Sequence, residues 1–247
     1  MGKPRHKQKK LIWSVPILIC AVLLGCFFFY TGQYYHADAS ALSALESDGT
    51  VTVTKTDYGW LFDGPSESDA LIFYPGGKVE ETAYAPLLHL LANETMDVLL
   101  VKMPFHLAVF GIDKANELIP RYDYSNWYIG GHSLGGAMAA SFAAKHPSQL
   151  AGVILLAAYP TEKTDDSITV TTIYGSGDGV LNMKKLAEGK KYLPENAGIY
   201  VIDGGNHAQF GNYDVQKGDG KAAISAEEQQ KQTLELIKQR KNNKPEL

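Results

Sequence analysis

Four glycines and one serine crowd the stretch YIGGHSLGGAMAA, Tyr128 to Ala140, between an aromatic strand-like run and an alanine-rich helix-like one. A glycine inside regular structure costs roughly 0.5–1 kcal/mol relative to alanine, so a cluster this dense needs a geometric reason. A tight strand-to-helix turn holding Ser133 supplies one. The rest of the chain fits that unit, because strand-like and helix-like runs alternate on both sides of it.

Residues 50–55, TVTVTK, alternate with period two, and YGWLFDG (58–64) follows after one short turn, which predicts an antiparallel hairpin. The spacing then predicts strands in ALIFYP (70–75), MDVLLVKMP (96–104), NWYIGG (126–131), AGVILLAAY (151–159), ITVTTIYG (168–175) and AGIYVIDGG (197–205). Helices are expected over VEETAYAPLLHLLANE (79–94), GAMAASFAAKH (136–146) and the polar tail from Ala226 to about Lys241. This order predicts an α/β fold, a mostly parallel sheet with helices on both faces. Functional groups of such sheets gather at the carboxyl ends of the strands. The loops there contain PGGK (75–78), GHSLGG (131–136), GSGDG (175–179) and GNHAQFG (205–211).

With 247 residues, 45% hydrophobic and 20% charged, the chain is long enough for one sizeable globular domain, read at 51–247. Its beginning differs. Lys3, Arg5, Lys7, Lys9 and Lys10 precede an uncharged, predominantly apolar run over 11–30, and no acidic residue occurs before Asp38. Twenty helical residues rise about 30 Å, the thickness of a bilayer's hydrocarbon core, so a signal anchor is expected there. Basic residues 1–10 favour a cytoplasmic amino terminus and an extracellular carboxyl-terminal domain at the cell membrane. The alternative is secretion after cleavage near Ala39, within the small-residue pattern ADA. Residues 31–50 read as a connector.

Both cysteines, Cys20 and Cys26, lie in the apolar run, so the domain has no disulfide, cysteine-based zinc site or thiol nucleophile to offer. Beyond residue 30 the chain holds 18 Lys and Arg against 27 Asp and Glu, a net charge of −9. So acidic a domain makes nucleic acid an unsuitable partner.

Gly131-His132-Ser133-Leu134-Gly135 fits G-x-S-x-G with a strand before it and a helix after it. A serine in that turn needs a base, usually histidine. Of seven histidines only His207 follows both the serine and the last strand. His6, His36, His89 and His146 fall outside such loops, His132 occupies the variable position of the motif, and His106 follows the strand in MDVLLVKMP. The acid that orients the base belongs at a strand end between serine and histidine. Asp178 fits that place, and Asp203, four residues before His207, competes with it. Leu134 N–H and Gly77 N–H are the candidate oxyanion donors, with Lys78 N–H as the alternative if the register shifts by one.

On the segments FYPGGK, GGHSLGG, GSGDGV and GGNHAQFG the sequence resembles the α/β-hydrolase superfamily, in its compact dienelactone hydrolase-like and small carboxylesterase branch. The resemblance spans about Val51 to Lys241. It implies an eight-stranded sheet and cofactor-free transfer of an acyl group from a small-molecule or lipid-like substrate to Ser133 and then to water. Dienelactone hydrolases commonly carry a cysteine nucleophile where this chain has Ser133. Only PTEKTDDS, 160–167, separates two strands where larger members insert a cap, so no cap domain is expected and FHLAVFG (105–111) is the expected apolar wall of an open mouth. Acyl transfer to another acceptor, thioester or peptide cleavage, and a catalytically silent binding module on the same fold are the competing readings. The polar stretch 212–225 shows no motif of a site.

Overall fold

The computed structural model of the protein describes residues 5–242, with side chains from Pro16 onward. It separates into two units, Met1–Tyr34 and Tyr35–Leu247. The first holds helix α1, Arg5–Gly32. Among its described side chains, Ile17, Leu23 and Phe29 are exposed. Among the described residues no helix is long and apolar enough to cross a membrane. The span expected at 11–30 begins outside the described side chains, as do the basic residues before it.

In the second unit, among the described residues, eight strands form one sheet in the order β1-β2-β4-β3-β5-β6-β7-β8. They are β1 (Thr52–Lys55), β2 (Gly59–Asp63), β3 (Asp69–Tyr74), β4 (Asp97–Val101), β5 (Asn126–His132), β6 (Gly152–Leu156), β7 (Thr169–Gly175) and β8 (Gly198–Ile202). The expected hairpin is β1–β2; β2 also runs antiparallel to β4, and the other pairs are parallel. β3 lies at the centre with all six residues buried, as the continuous apolar run ALIFY after Asp69 requires of a strand covered on both faces.

Period two then divides its side chains between two cores. Leu71 and Phe73 join the face packed with Leu87, Leu88, Leu91, Leu234 and Ile237. Ala70, Ile72 and Tyr74 join the face packed with Ala115, Leu118, Ala139, Phe142 and Ala143. The covering helices follow in chain order: α2 (Ala39–Ser43), α3 (Ala85–Glu94), α4 (Lys114–Leu118), α5 (Leu134–Lys145), α6 (Met183–Gly189) and α7 (Ala226–Asn242). The helix expected from residue 79 starts only at Ala85, after a 3₁₀ turn, with Pro86 in its first turn. Proline is tolerated there because the missing N–H has no intrahelical acceptor.

The stretch with a connector's composition is part of the second unit from Tyr35 on. Tyr35 N–H donates to Lys78 O at 2.8 Å, Glu80 N–H donates to Tyr35 O at 2.9 Å, and Ala41 of α2 is fully buried. Docking through backbone groups leaves no residue-type signature, which is why composition alone reads it as a linker.

The order β4-β3-β5 has a functional consequence. The chain leaves β3 to one side and returns past it to form β5, so a crevice opens between the carboxyl ends of β3 and β5, where ligands of open α/β sheets bind. Tyr74 at the end of β3 pairs with Gly131, two residues before Ser133.

Candidate active site

Ser133 links β5 to α5 with φ 52° and ψ −119°. A non-glycine residue held so far from the allowed regions costs on the order of 1–3 kcal/mol and persists only when its surroundings over-determine it. Both flanks do so: Ser133 N–H donates to Leu156 O at 2.9 Å, and its carbonyl accepts Ala137 N–H at 3.0 Å. The glycines two positions either side are required by close approach. A Cβ at Gly131 would lie 2.4 Å from Tyr74 O, and one at Gly135 would lie 2.2 Å from the same oxygen.

The structure brings His207 and Asp178 together. His207 Nδ1 lies 2.8 Å from Asp178 Oδ2, with both side chains about 1% exposed. A carboxylate can only accept, so Nδ1 carries the proton and Nε2 presents a lone pair. That Nε2 is buried and has no hydrogen-bond partner among the described residues. Asp178 is itself held by the N–H groups of Val180 and Leu181, which donate to its Oδ1 at 2.8 and 2.7 Å. Asp203 instead accepts the Ser176 hydroxyl at 3.1 Å on an exposed edge, so the carboxylate against His207 is that of Asp178.

Ser133 and His207 line the same cavity of about 270 Å³. Its apolar wall comes from Leu134, Ala157, Val180 and Leu181. The expected wall, 105–111, does not line it: Phe105, Val109 and Phe110 are exposed to solvent. What that loop contributes is a backbone acceptor, since Lys78 N–H donates to His106 O at 2.7 Å. Lys78 N–H is thereby engaged. Gly77 approaches the start of α5, because a Cβ there would lie 2.9 Å from Leu134 Cδ2. Leu134 is the first residue of α5, where N–H groups have no intrahelical acceptor.

Two residues that sequence reasoning passed over, Tyr84 and His132, pack in a row beside His207. The buried Tyr84 hydroxyl accepts Gly76 N–H at 3.0 Å and shares a hydrogen bond with His132 Nδ1, 2.8 Å away. The His132 and His207 rings are 4.5 Å apart between centroids. Burial first, and then the proximity of His207, hold the His132 pKa well below its ordinary 6.5, so its imidazole is neutral. The variable position of the G-x-S-x-G motif thus ties the turn at Ser133 to the glycine loop after β3.

Backbone strain gathers at this edge. The described non-glycine residues with positive φ are Lys78, Phe105, His106, Ser133 and Ala157, and all follow the carboxyl ends of β3 to β6. Strain of this kind clusters at functional sites.

A strained serine at the end of the fifth strand of this eight-stranded sheet defines an α/β-hydrolase fold. The chain belongs to the alpha/beta hydrolase family, whose model matches residues 70–231. No curated protein matches the sequence. Among solved structures, a membrane phospholipase A described as a bacterial virulence factor is similar at 12% identity, with a TM-score of 0.61 over 95% of this chain and 99% of that one. Est1E from Butyrivibrio proteoclasticus is similar at 13% identity and a TM-score of 0.56, over 79% of this chain and 100% of its own. Carboxyl esterase 2 from Tuber melanosporum is similar at 12% identity and a TM-score of 0.58, over 83% and 91%. At these identities the likeness is one of fold.

Proposed function

We propose that the protein is a serine hydrolase that cleaves an ester or related acyl bond, held at a membrane by residues 11–30. The observation that carries the reading is the buried pair of His207 and Asp178, with an unpartnered Nε2, at the cavity that Ser133 also lines. Ser133 Oγ attacks the acyl carbon while His207 Nε2 takes its proton. Asp178 keeps the imidazole in the required tautomer and stabilises the imidazolium. The oxyanion accepts hydrogen bonds from the N–H groups of Leu134 and Gly77. As the tetrahedral intermediate collapses, His207 gives the proton to the leaving alcohol. Water then repeats the sequence on the acyl-enzyme and releases the acid.

Among the described residues no Lys, Arg, Asp or Glu side chain lines the cavity, and its walls are mainly apolar. An uncharged acyl group therefore suits it better than a charged one. No step in this sequence calls for a cofactor. The esterases and the phospholipase A of similar fold are consistent with an acyl substrate, small or lipid-like.

A fluorophosphonate probe applied to the full chain tests this, with the modified residue mapped by peptide mass spectrometry. Labelling is expected at Ser133, absent in Ser133→Ala, and reduced far more by Asp178→Asn than by Asp203→Asn. A folded chain that takes no label points to a binding module on the same fold.

A further inference from the structure

The segment 212–225 shows no motif, yet one of its side chains reaches both loops that carry the buried pair. Asp219 Oδ1 accepts the N–H of His207 at 3.2 Å and of Gly179 at 3.1 Å, and Oδ2 accepts that of Ala208 at 2.8 Å. Its neighbour Gly220 N–H adds a third donor to Oδ1, at 2.8 Å, and the fourth to the carboxylate as a whole. The backbone of the histidine, of the residue after it and of the residue after Asp178 thus converge on one carboxylate.

The turn that presents Asp219 is built for close approach. Asp219 N–H donates to Gln216 O at 3.1 Å, and Gly218 has φ +89°. A Cβ on Gly220 would lie 2.0 Å from Gly177 O, so the turn lies flat against the loop of Asp178. Asn206 Nδ2 donates to Gly220 O at 2.9 Å, which fastens the same turn to the loop of His207.

We infer that Asp219 is a positioning residue, which sets the spacing of Asp178 and His207 by holding their backbones. The inference rests on the serine-hydrolase reading for its kinetic consequence. Hydrogen bonds to an ionised acceptor are roughly twice as strong as neutral ones, so one carboxylate can bind the two loops where several neutral contacts would be needed. Asparagine is nearly the same size but accepts at only one atom. In Asp219→Asn the Nδ2 donor replaces one of the two accepting oxygens, so Ala208 N–H or the His207 and Gly179 pair loses its acceptor.

Two readouts on the full chain test this: the downfield Nδ1–H proton resonance of His207, and the rate of fluorophosphonate labelling at Ser133. The resonance reports the bond to Asp178 whether or not Ser133 reacts. In Asp219→Asn it is expected to broaden or disappear while the chain stays folded. The labelling rate should fall on the order of 10- to 100-fold, as misplaced reacting groups do. Asp214→Asn, an exposed carboxylate of the same segment, should behave as wild type.

An unchanged resonance in Asp219→Asn overturns the inference, as does a wild-type chain that lacks the resonance. A resonance lost in the variant together with a wild type that takes no label leaves the positioning role standing and overturns the hydrolase reading instead. If Asp219→Asn does not fold, Asp219→Glu decides. It keeps the charge but lengthens the arm, and a resonance identical to wild type would again overturn the inference.

Discussion

His132 shows how one buried side chain makes stability depend on pH. Its imidazole is neutral in the folded chain because burial and the adjacent His207 oppose a charge there. In the unfolded chain it titrates near the ordinary 6.5. As pH falls through that value the unfolded state takes up a proton that the folded state refuses, so stability present above pH 6.5 is lost below it. One such group contributes at most about 1.4 kcal/mol per pH unit, or about 2 kcal/mol between pH 7 and pH 5. Replacement by glutamine removes the titration and leaves an amide that can pair with the Tyr84 hydroxyl in either direction. Urea unfolding at pH 7, 6 and 5 should therefore show wild type losing more than His132→Gln as pH falls, by up to about 2 kcal/mol. Parallel profiles would mean that His132 takes up its proton in the folded state as well.

At the scale of elements, the start of α5 is fixed by contact with the end of β3. Alanine is ordinarily better than glycine in a helix by about 1 kcal/mol. At Gly135 that preference is overruled, because the added Cβ would meet Tyr74 O at 2.2 Å and Pro75 O at 2.3 Å, both backbone atoms at the end of the central strand. Overpacking of this kind typically costs about 1–3 kcal/mol. Gly135→Ala should be destabilised by at least about 2 kcal/mol in urea unfolding, where propensity alone predicts a gain. The same contact explains why this region was legible in the sequence. A strand running straight into a helix against a neighbouring strand demands glycines at fixed offsets, and the strands themselves are apolar runs. Asp178 and His207 were legible as the carboxylate and imidazole of two successive strand-end loops. The short helices α2, α4 and α6, of five to seven residues, are too brief for periodicity to declare them. Asp219 was silent because it acts on backbone N–H groups, which every residue but proline has. Residues 105–111 misled because apolar side chains at the site's edge face solvent, whereas the cavity walls are small residues and leucines from other loops.

For the whole molecule, the globular unit and helix α1 make different demands on solvent. In the second unit large apolar side chains such as Phe62, Phe73, Leu91 and Phe142 are buried in two cores on either side of one sheet. In α1, Leu23 and Leu24 are 62% and 57% exposed, within a run of exposed apolar neighbours. Such a surface is unfavourable in water and favourable in hydrocarbon. Arginine near the middle of a membrane helix costs about 2.5–3.5 kcal/mol, so the double change Leu23→Arg, Leu24→Arg opposes insertion by about 5 kcal/mol or more. Neither residue belongs to the two cores, so labelling of Ser133 should be unaffected. The double variant should move from the carbonate-resistant membrane fraction of expressing cells to the soluble fraction, with its labelling rate unchanged. Wild type already in the soluble fraction would remove the tether from the proposal and leave the hydrolase reading intact. Loss of labelling on release would instead mean that the site depends on membrane attachment, which makes the tether part of how substrate reaches Ser133.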